Sequence, residues 1–186
     1  PAISILGSTV LAHVDADYAV RGEGEITFPA LLAALEAGRE PGSIPGVCTR
    51  GSSRAHDSLP TRLPTFGASG MQDWIDWKKY ARHGGTFAIQ TKRGCPMSCS
   101  YCSYPDIEGQ KLRRRDPVDV VDEIETVQRT LAPRTFEFVD STFNLPESHA
   151  LAICEEIIRR GLKVNLTTMG INPRATSAEL FALMKR

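Results

Sequence analysis

Residues 86–102 read Thr-Phe-Ala-Ile-Gln-Thr-Lys-Arg-Gly-Cys-Pro-Met-Ser-Cys-Ser-Tyr-Cys, a predicted strand that runs directly into a loop with three cysteines. The strand is predicted over Thr86 to Thr91. Cys95, Cys99 and Cys102 follow with the spacing C-x-x-x-C-x-x-C, which gathers three thiols into one short loop. The stretch therefore predicts a cysteine site at the carboxyl end of a strand, where sites form in parallel β/α folds.

The chain around this stretch, from residue 85 to residue 186, alternates predicted strands and helices. Further strands are predicted at 136–139 and 162–168, and helices at 117–132, at 146–160 and from the capping box Thr176-Ser-Ala-Glu179 onward. This order is typical of three parallel β/α units, so we predict an α/β fold. Apolar and polar residues alternate along the last strand, which suits either a face over a polar cavity or an exposed edge strand.

A second group of polar residues follows the next strand of the predicted sheet. Asp140-Ser-Thr-Phe-Asn144 leaves strand 136–139 at the same edge as the cysteine loop, so we expect the two segments to be neighbours. The Asp140 carboxylate suits a substrate ammonium group. The alternative is a turn in which Asp140 and Asn144 satisfy backbone amides. Both interpretations stay open at this point.

Three cysteines without a fourth indicate a cubane iron–sulfur cluster with one open iron, because such clusters normally take one cysteine per iron. An open iron can bind a substrate or cofactor, which indicates catalysis. Structural zinc is the alternative, but it is closed by four ligands. The histidines all lie outside the short spacing of a zinc knuckle: His13, His56, His83 and His149. Cys48 is distant, and Cys154 shares a helical stripe with apolar residues, which predicts a core position.

The charged residues balance. Lys plus Arg and Asp plus Glu number 22 each, so no net charge directs the protein to nucleic acid or to an anionic membrane. No apolar run approaches the ~20 residues of a membrane span, and the start shows no signal-peptide pattern. We therefore predict a cytoplasmic protein with no membrane span and no nucleic-acid partner. The basic residues beside the cysteine loop could reach a carboxylate or shield an anionic cluster, but most of them are interpreted as solvated surface: Lys92, Arg93 and Arg113 to Arg115.

The first 39 residues and the segment that follows them differ from residues 85–186 in their predicted secondary structure and composition. Short strands are predicted at Ile3 to Leu6 and Asp17 to Val20, followed by a helix closed by Gly38. Residues 40–84 are rich in Pro, Gly and Ser and are predicted to be a linker that ends in a short helix. The chain begins without methionine and stops inside a predicted helix, so we expect it to be an internal segment of a longer protein.

The cysteine spacing, with Tyr101 as the aromatic residue, resembles C-x-x-x-C-x-aromatic-C, the signature of the radical S-adenosylmethionine (radical SAM) enzymes. The resemblance implies that Cys95, Cys99 and Cys102 hold a 4Fe-4S cluster whose open iron is chelated by S-adenosylmethionine. It assigns an adenine contact to Tyr101, for which the alternative is packing against the loop. It also implies that the reduced cluster cleaves S-adenosylmethionine to give a 5'-deoxyadenosyl radical. A cellular electron donor is expected to supply the electron.

Residues 136–144 resemble the second-strand motif of this family, which helps to hold the amino group of S-adenosylmethionine. The resemblance assigns that contact to Asp140 and Asn144. Because the radical SAM core is a partial TIM-type barrel of six β/α units, residues 85–186 resemble its first three units.

Residues 17–28, Asp-Tyr-Ala-Val-Arg-Gly-Glu-Gly-Glu-Ile-Thr-Phe, resemble the end of the Rossmann-like cobalamin-binding domain that precedes the core in cobalamin-dependent members. The resemblance implies cofactor contacts at Gly22 and Glu23. A nicotinamide-binding turn is less favoured, since Thr27 stands where the third glycine would be. The implied organisation is cobalamin domain 1–39, linker 40–84 and the first half of the core 85–186.

These resemblances imply a cobalamin-dependent radical SAM enzyme that modifies an unactivated carbon of a small-molecule substrate, most often by methyl transfer. The alternatives are a radical SAM cyclase or rearrangement enzyme without methyl transfer, and a non-catalytic iron–sulfur electron-transfer protein. Three β/α units do not close a barrel, so this segment is expected to carry the cluster ligands without the complete core.

Overall fold

A computed structural model describes residues 2–51 and 62–186, so residues 52–61 of the predicted linker lie outside the described part. The described residues form two compact units. Unit 1 contains residues 2–51, 62–64 and 94–111, and unit 2 contains residues 65–93 and 112–186. The cysteine segment therefore belongs to unit 1, although the chain on both sides of it belongs to unit 2.

The helices and strands alternate through most of the described chain. The helices are α1 (Ala2–Leu6), α2 (Gly24–Glu36), α3 (Trp77–Ala81), α4 (Tyr104–Glu108), α5 (Pro117–Leu131), α6 (Glu147–Arg159) and α7 (Ala178–Met184). The strands are β1 (Tyr18–Val20), β2 (Val47–Thr49), β3 (Thr86–Ile89), β4 (Lys92–Arg93), β5 (Arg113–Arg114), β6 (Thr135–Phe138) and β7 (Leu166–Thr168). None of the described helices has the length and apolar character needed to cross a membrane.

Unit 2 is built on a parallel sheet with the strand order β3-β6-β7. The register pairs Phe87 with Phe136, and Phe136 in turn with Leu166. The connection from β3 to β6 contains α4 and α5, and the connection from β6 to β7 contains α6, as crossovers between parallel neighbours require. The predicted parallel β/α order is confirmed.

Helix α5 shows why the sequence folds as it does in unit 2. Asp116 Oδ1 accepts a hydrogen bond of 2.8 Å from Val118 N, and Pro117 occupies the first helical position, so the helix begins with a satisfied cap. Val120, Val121, Ile124 and Val127 recur at helical spacing and are buried against the sheet. Burial of each large apolar side chain contributes about 1.5–3 kcal/mol to stability.

A single buried apolar cluster fills unit 2. It contains Phe87, Ile89, Val120, Val121, Ile124, Val127, Phe136, Phe138, Phe143, Ala150, Ile153, Cys154, Ile157 and Leu180. Cys154 lies in it with 5% exposure, so its predicted core position is confirmed. Burial raises the pKa of the Cys154 thiol to about 11, because the thiolate would lose its hydration.

Two details at the end of unit 2 differ from prediction. The third strand is shorter than predicted, since it is confined to Leu166–Thr168. It is mostly exposed, and β6 is its only partner among the described strands. The capping box was predicted one residue too early, because Ser177, not Thr176, caps α7. Ser177 Oγ accepts a hydrogen bond from Leu180 N.

A short antiparallel ladder in unit 2 was not predicted. Strand β4 pairs with β5, with Lys92 opposite Arg114 and Arg93 opposite Arg113. The cysteine segment connects these two strands, so the ladder closes the base of the loop. A two-residue strand carries too little periodicity for sequence reasoning to find.

Unit 1 contains a two-stranded antiparallel sheet of β1 and β2, in which Ala19 pairs with Cys48. The strand predicted at Asp17 to Val20 and the helix that follows it are confirmed as β1 and α2. The strand predicted at Ile3 to Leu6 is wrong, because these residues form α1. A short apolar run does not distinguish a strand from a helix by its periodicity.

Candidate functional site

The cysteine loop spans residues 94–111 of unit 1. Cys95 is buried, Cys102 is half-buried and Cys99 is exposed, and all three carry thiols rather than disulfides. Cys95 N donates to Gly109 O at 2.9 Å, and Cys102 N donates to Cys99 O at 3.1 Å. Backbone hydrogen bonds thus fix both the base of the loop and the turn between the second and third cysteines.

Gly94 sits at the entrance of this loop in a conformation that favours glycine. Its φ is 87°, and a Cβ atom at this position would lie 2.3 Å from Lys111 O. Gly94 N donates to Glu108 Oε2 at 3.0 Å. A side chain here would force the two ends of the loop apart.

The donor set of the loop fits an iron–sulfur cluster by its chemistry. Within residues 2–51 and 62–186, no three Cys, His, Asp or Glu side chains are grouped so that they could hold a single metal ion. Four-ligand zinc needs such a grouping. A cubane differs, since each iron takes its own thiolate and the three sulfurs need not meet at one point. The three thiols are the ligand type that a cubane takes, and their role as cluster ligands stays a prediction.

Tyr101 lies between the last two cysteines and is 91% exposed. A ring that packed against the loop would be largely covered, so the packing alternative is disfavoured. The aromatic face is open to a planar ligand. Its contact with adenine stays a prediction.

Asp140, at the carboxyl end of β6 in unit 2, is fully engaged. Its Oδ1 accepts hydrogen bonds from Thr91 N at 2.8 Å and Lys92 N at 3.1 Å. Its Oδ2 accepts from Thr91 Oγ1 at 2.6 Å and Lys92 Nζ at 2.8 Å. The carboxylate is buried with its lone pairs used, so this geometry favours the alternative in which Asp140 satisfies backbone amides.

Asn144 is also buried, and its side chain forms hydrogen bonds with backbone groups. Its Oδ1 accepts from Asn172 N at 2.8 Å, and its Nδ2 donates to Asn172 O and to Ala175 O. The side chain thus bridges the turn after β6 and the turn after β7. Its contact with a cofactor stays a prediction, and the structure again favours the backbone alternative.

Lys92 is the residue that sequence reasoning missed. It is 1% exposed, and its Nζ donates to Phe143 O at 2.7 Å as well as to Asp140. Burial lowers the pKa of Lys92, and the Asp140 carboxylate opposes that shift. The interpretation as solvated surface is wrong for Lys92, Arg113 and Arg115, all of which are buried.

Arg115 lies directly after β5 and forms a second buried ion pair. Its Nη1 donates to Glu123 Oε2 at 2.5 Å and to Gln90 O at 3.0 Å. His149 Nε2 lies 2.9 Å from Arg115 O, and a carbonyl only accepts, so this nitrogen carries the proton. Burial is the largest cause that lowers the pKa of His149. His149 is therefore neutral near pH 7.

Gly22 and Glu23 form the turn before α2 in unit 1. Gly22 has a φ of 67° and donates from its N to Ser4 Oγ at 3.1 Å, as the predicted tight turn requires. Glu23 Oε2 accepts from Leu63 N at 3.1 Å. The carboxylate thus holds local backbone, and a cofactor contact at this turn stays a prediction.

Comparison with known proteins extends this description of the chain. The Radical SAM superfamily model matches residues 89–186. An uncharacterized methyltransferase of Pyrococcus horikoshii is 30% identical over 161 residues, which cover 81% of this chain and 34% of that protein. The anaerobic magnesium-protoporphyrin IX monomethyl ester cyclase of Synechocystis is 31% identical over 154 residues, which cover 81% of this chain and 31% of that enzyme.

Similarity also extends to a solved structure. The radical S-adenosylmethionine methyltransferase TsrM of Kitasatospora setae, with cobalamin and a 4Fe-4S cluster bound, superposes with a TM-score of 0.73 at 26% identity. The superposition covers 98% of this chain and 38% of that one. This chain spans about a third of the length of each of these three proteins.

Proposed function

The chain belongs to the radical SAM superfamily, and we propose that the intact protein is a cobalamin-dependent radical SAM enzyme that transfers a methyl group to an unactivated carbon. The observation that carries this proposal is the set of three thiols, Cys95, Cys99 and Cys102, on a closed loop between β4 and β5. Similarity to a methyltransferase with cobalamin and a 4Fe-4S cluster bound supports the choice of reaction.

The three cysteines would each hold one iron and leave the fourth iron for S-adenosylmethionine. When bound, the cluster supplies the electron for reductive cleavage of S-adenosylmethionine, and cobalamin carries the methyl group. The residues of this chain bind and orient those groups. Gly94 permits the loop to close, and the exposed Tyr101 offers a face to the adenine.

We assign cobalamin to the amino-terminal region, with domain boundaries at 1–39, 40–84 and 85–186 for the intact protein. The tight Gly22 turn presents backbone at the start of α2. Because Glu23 Oε2 accepts a hydrogen bond from Leu63 N, we propose that a contact of Glu23 with cobalamin would use its backbone. We also propose that the segment with Asp140 and Asn144 contacts the amino group of S-adenosylmethionine. The two side chains hold the backbone of the surrounding turns.

The proposed partners are a small-molecule substrate and a cellular electron donor, without nucleic acid. Thiolate ligands require a reducing compartment, which supports a cytoplasmic location. A radical SAM cyclase is the second candidate function, because one relative of similar identity is a cyclase. An electron-transfer protein is less favoured, since it would normally supply four cysteines.

Anaerobic reconstitution of the intact protein with iron and sulfide tests the proposal. We expect one 4Fe-4S cluster, an electron paramagnetic resonance (EPR) spectrum that changes on addition of S-adenosylmethionine, and 5'-deoxyadenosine under reducing conditions. Formation of S-adenosylhomocysteine that depends on cobalamin would favour methyl transfer over cyclisation. Cys99→Ala should lose the cluster and Cys154→Ala should keep it. Stoichiometric tetrahedral zinc in place of iron would overturn the proposal.

A further inference from the structure

We infer that two buried polar contacts, one on each arm of the cysteine loop, position the loop for its cluster, an inference that rests on the proposed function. The outgoing arm is residues 90–93, and the return arm is residues 113–115. Both arms lie in unit 2 and are paired by the β4–β5 ladder. The chain enters and leaves the cysteine segment through these arms, so their spacing fixes the two ends between which the loop closes.

The outgoing arm is held by Asp140. Its carboxylate accepts four hydrogen bonds from the backbone and side chains of Thr91 and Lys92. Lys92 Nζ is held at the same time by Phe143 O. The arm is thus fixed at two consecutive backbone amides, three and four residues before Cys95.

The return arm is held by His149 and Glu123. His149 Nε2 donates to Arg115 O at 2.9 Å, while Glu123 Oε2 accepts from Arg115 Nη1. Arg115 Nη1 also donates to Gln90 O on the outgoing arm. The guanidinium therefore ties the two arms to each other as well as to α5.

The same segment of the scaffold holds both arms. Asp140 lies two residues after β6, and His149 lies in the first turn of α6, nine residues later. Buried ion pairs add little net stability, because the loss of hydration offsets their attraction, but they can fix one conformation. We therefore assign to these contacts the role of holding the base of the loop in one conformation.

Release of iron to a chelator from the reconstituted intact protein measures this positioning without relying on turnover. Loss of a residue that orients metal ligands typically weakens metal binding about 10–100-fold. We therefore expect Asp140→Asn and His149→Phe to speed iron release about tenfold. The EPR spectrum of the reduced cluster should also broaden. His149→Gln keeps a donor for Arg115 O and should restore release close to the wild-type rate.

Ile153→Ala serves as the matched control for simple destabilisation. Ile153 is fully buried in the core of unit 2 and belongs to neither arm, so this variant lowers the thermal midpoint by leaving a cavity. Its iron release should stay close to that of the wild type. The positioning role would be overturned, while the proposed function stands, by either of two results. One is iron release from Ile153→Ala as fast as from Asp140→Asn and His149→Phe, and the other is iron release at the wild-type rate from both of these variants. A wild-type protein that takes up no cluster would overturn both.

Discussion

Lys92 Nζ lies 2.8 Å from Asp140 Oδ2, and both side chains are almost completely buried. The pair joins the residue that leads into the cysteine loop to the end of the central strand of the parallel sheet. Burial removes the hydration of both charges, and each is compensated by the other and by backbone groups. The polar residues at this sheet edge therefore hold one another and the segment that leads into the loop.

Removal of one partner of this ion pair should destabilise the protein strongly. Lys92→Met leaves the Asp140 charge buried and unpaired, which we expect to lower the free energy of unfolding by about 3–5 kcal/mol. The double variant Lys92→Met/Asp140→Asn removes both charges and should recover part of that loss. Urea unfolding followed by circular dichroism measures both. If the losses of unfolding free energy in Lys92→Met and Asp140→Asn simply add in the double variant, the result would contradict a coupled pair.

Gly94→Ala should disturb the loop by two mechanisms. The residue has a φ of 87°, and its new Cβ would clash with Lys111 O. Backbone strain of this kind costs about 1–3 kcal/mol, and the clash adds to it, so we expect a lower unfolding free energy and poor retention of iron after reconstitution.

Gly38→Ala is the matched control for that variant. Gly38 has a φ of 63°, but nothing lies within 4 Å of the position that its Cβ would take. This variant should show the strain alone and retain iron as the wild type does. Equal iron loss in Gly94→Ala and Gly38→Ala would show that the close approach of Gly94 to Lys111 O is not needed for iron retention.

The cysteine loop could be predicted from the sequence because its three cysteines lie within eight residues. Their role as cluster ligands stays a prediction. Helices with long apolar periodicity, such as α5 and α6, were equally accessible to sequence reasoning. The role of Asp140 was not, because its partners Thr91 and Lys92 lie 49 and 48 residues away along the chain. A carboxylate in a turn and a lysine beside an arginine look the same in a sequence whether they are exposed or paired and buried.

His149 should give the protein a pH-dependent stability below neutrality. Burial lowers the pKa of His149 from its ordinary value of 6.5, so the unfolded state binds a proton more readily than the folded state. Stability must then fall as the pH drops below about 6.5 and level off below the folded pKa. The charges near this ring are Lys92, Asp140 and Arg114.

His149→Gln removes the titrating group and keeps a donor for Arg115 O. The unfolding free energy of this variant should depend less on pH than that of the wild type between pH 7.5 and about 5.5. Urea titrations of both proteins across this range provide the comparison. An unchanged dependence in His149→Gln would assign the acid sensitivity to other groups.

Thiol alkylation should distinguish the proposed cluster ligands from the core cysteine. In the metal-free protein at pH 8, iodoacetamide should modify the exposed Cys99 rapidly, because reaction requires an accessible thiolate. Cys154 should react slowly, since it is buried and its pKa is raised to about 11. Peptide mass spectrometry after a short exposure gives the extent of modification at each site.

Reconstitution with iron and sulfide under anaerobic conditions should then change that labelling pattern selectively. Bound iron occupies the thiolates of Cys95, Cys99 and Cys102, so modification of Cys99 and Cys102 should fall sharply. Cys154 should keep its slow rate, because it packs within the apolar core and contacts no metal. Continued rapid labelling of Cys99 in a sample that contains four irons per chain would place the cluster on other ligands and contradict the three-cysteine site.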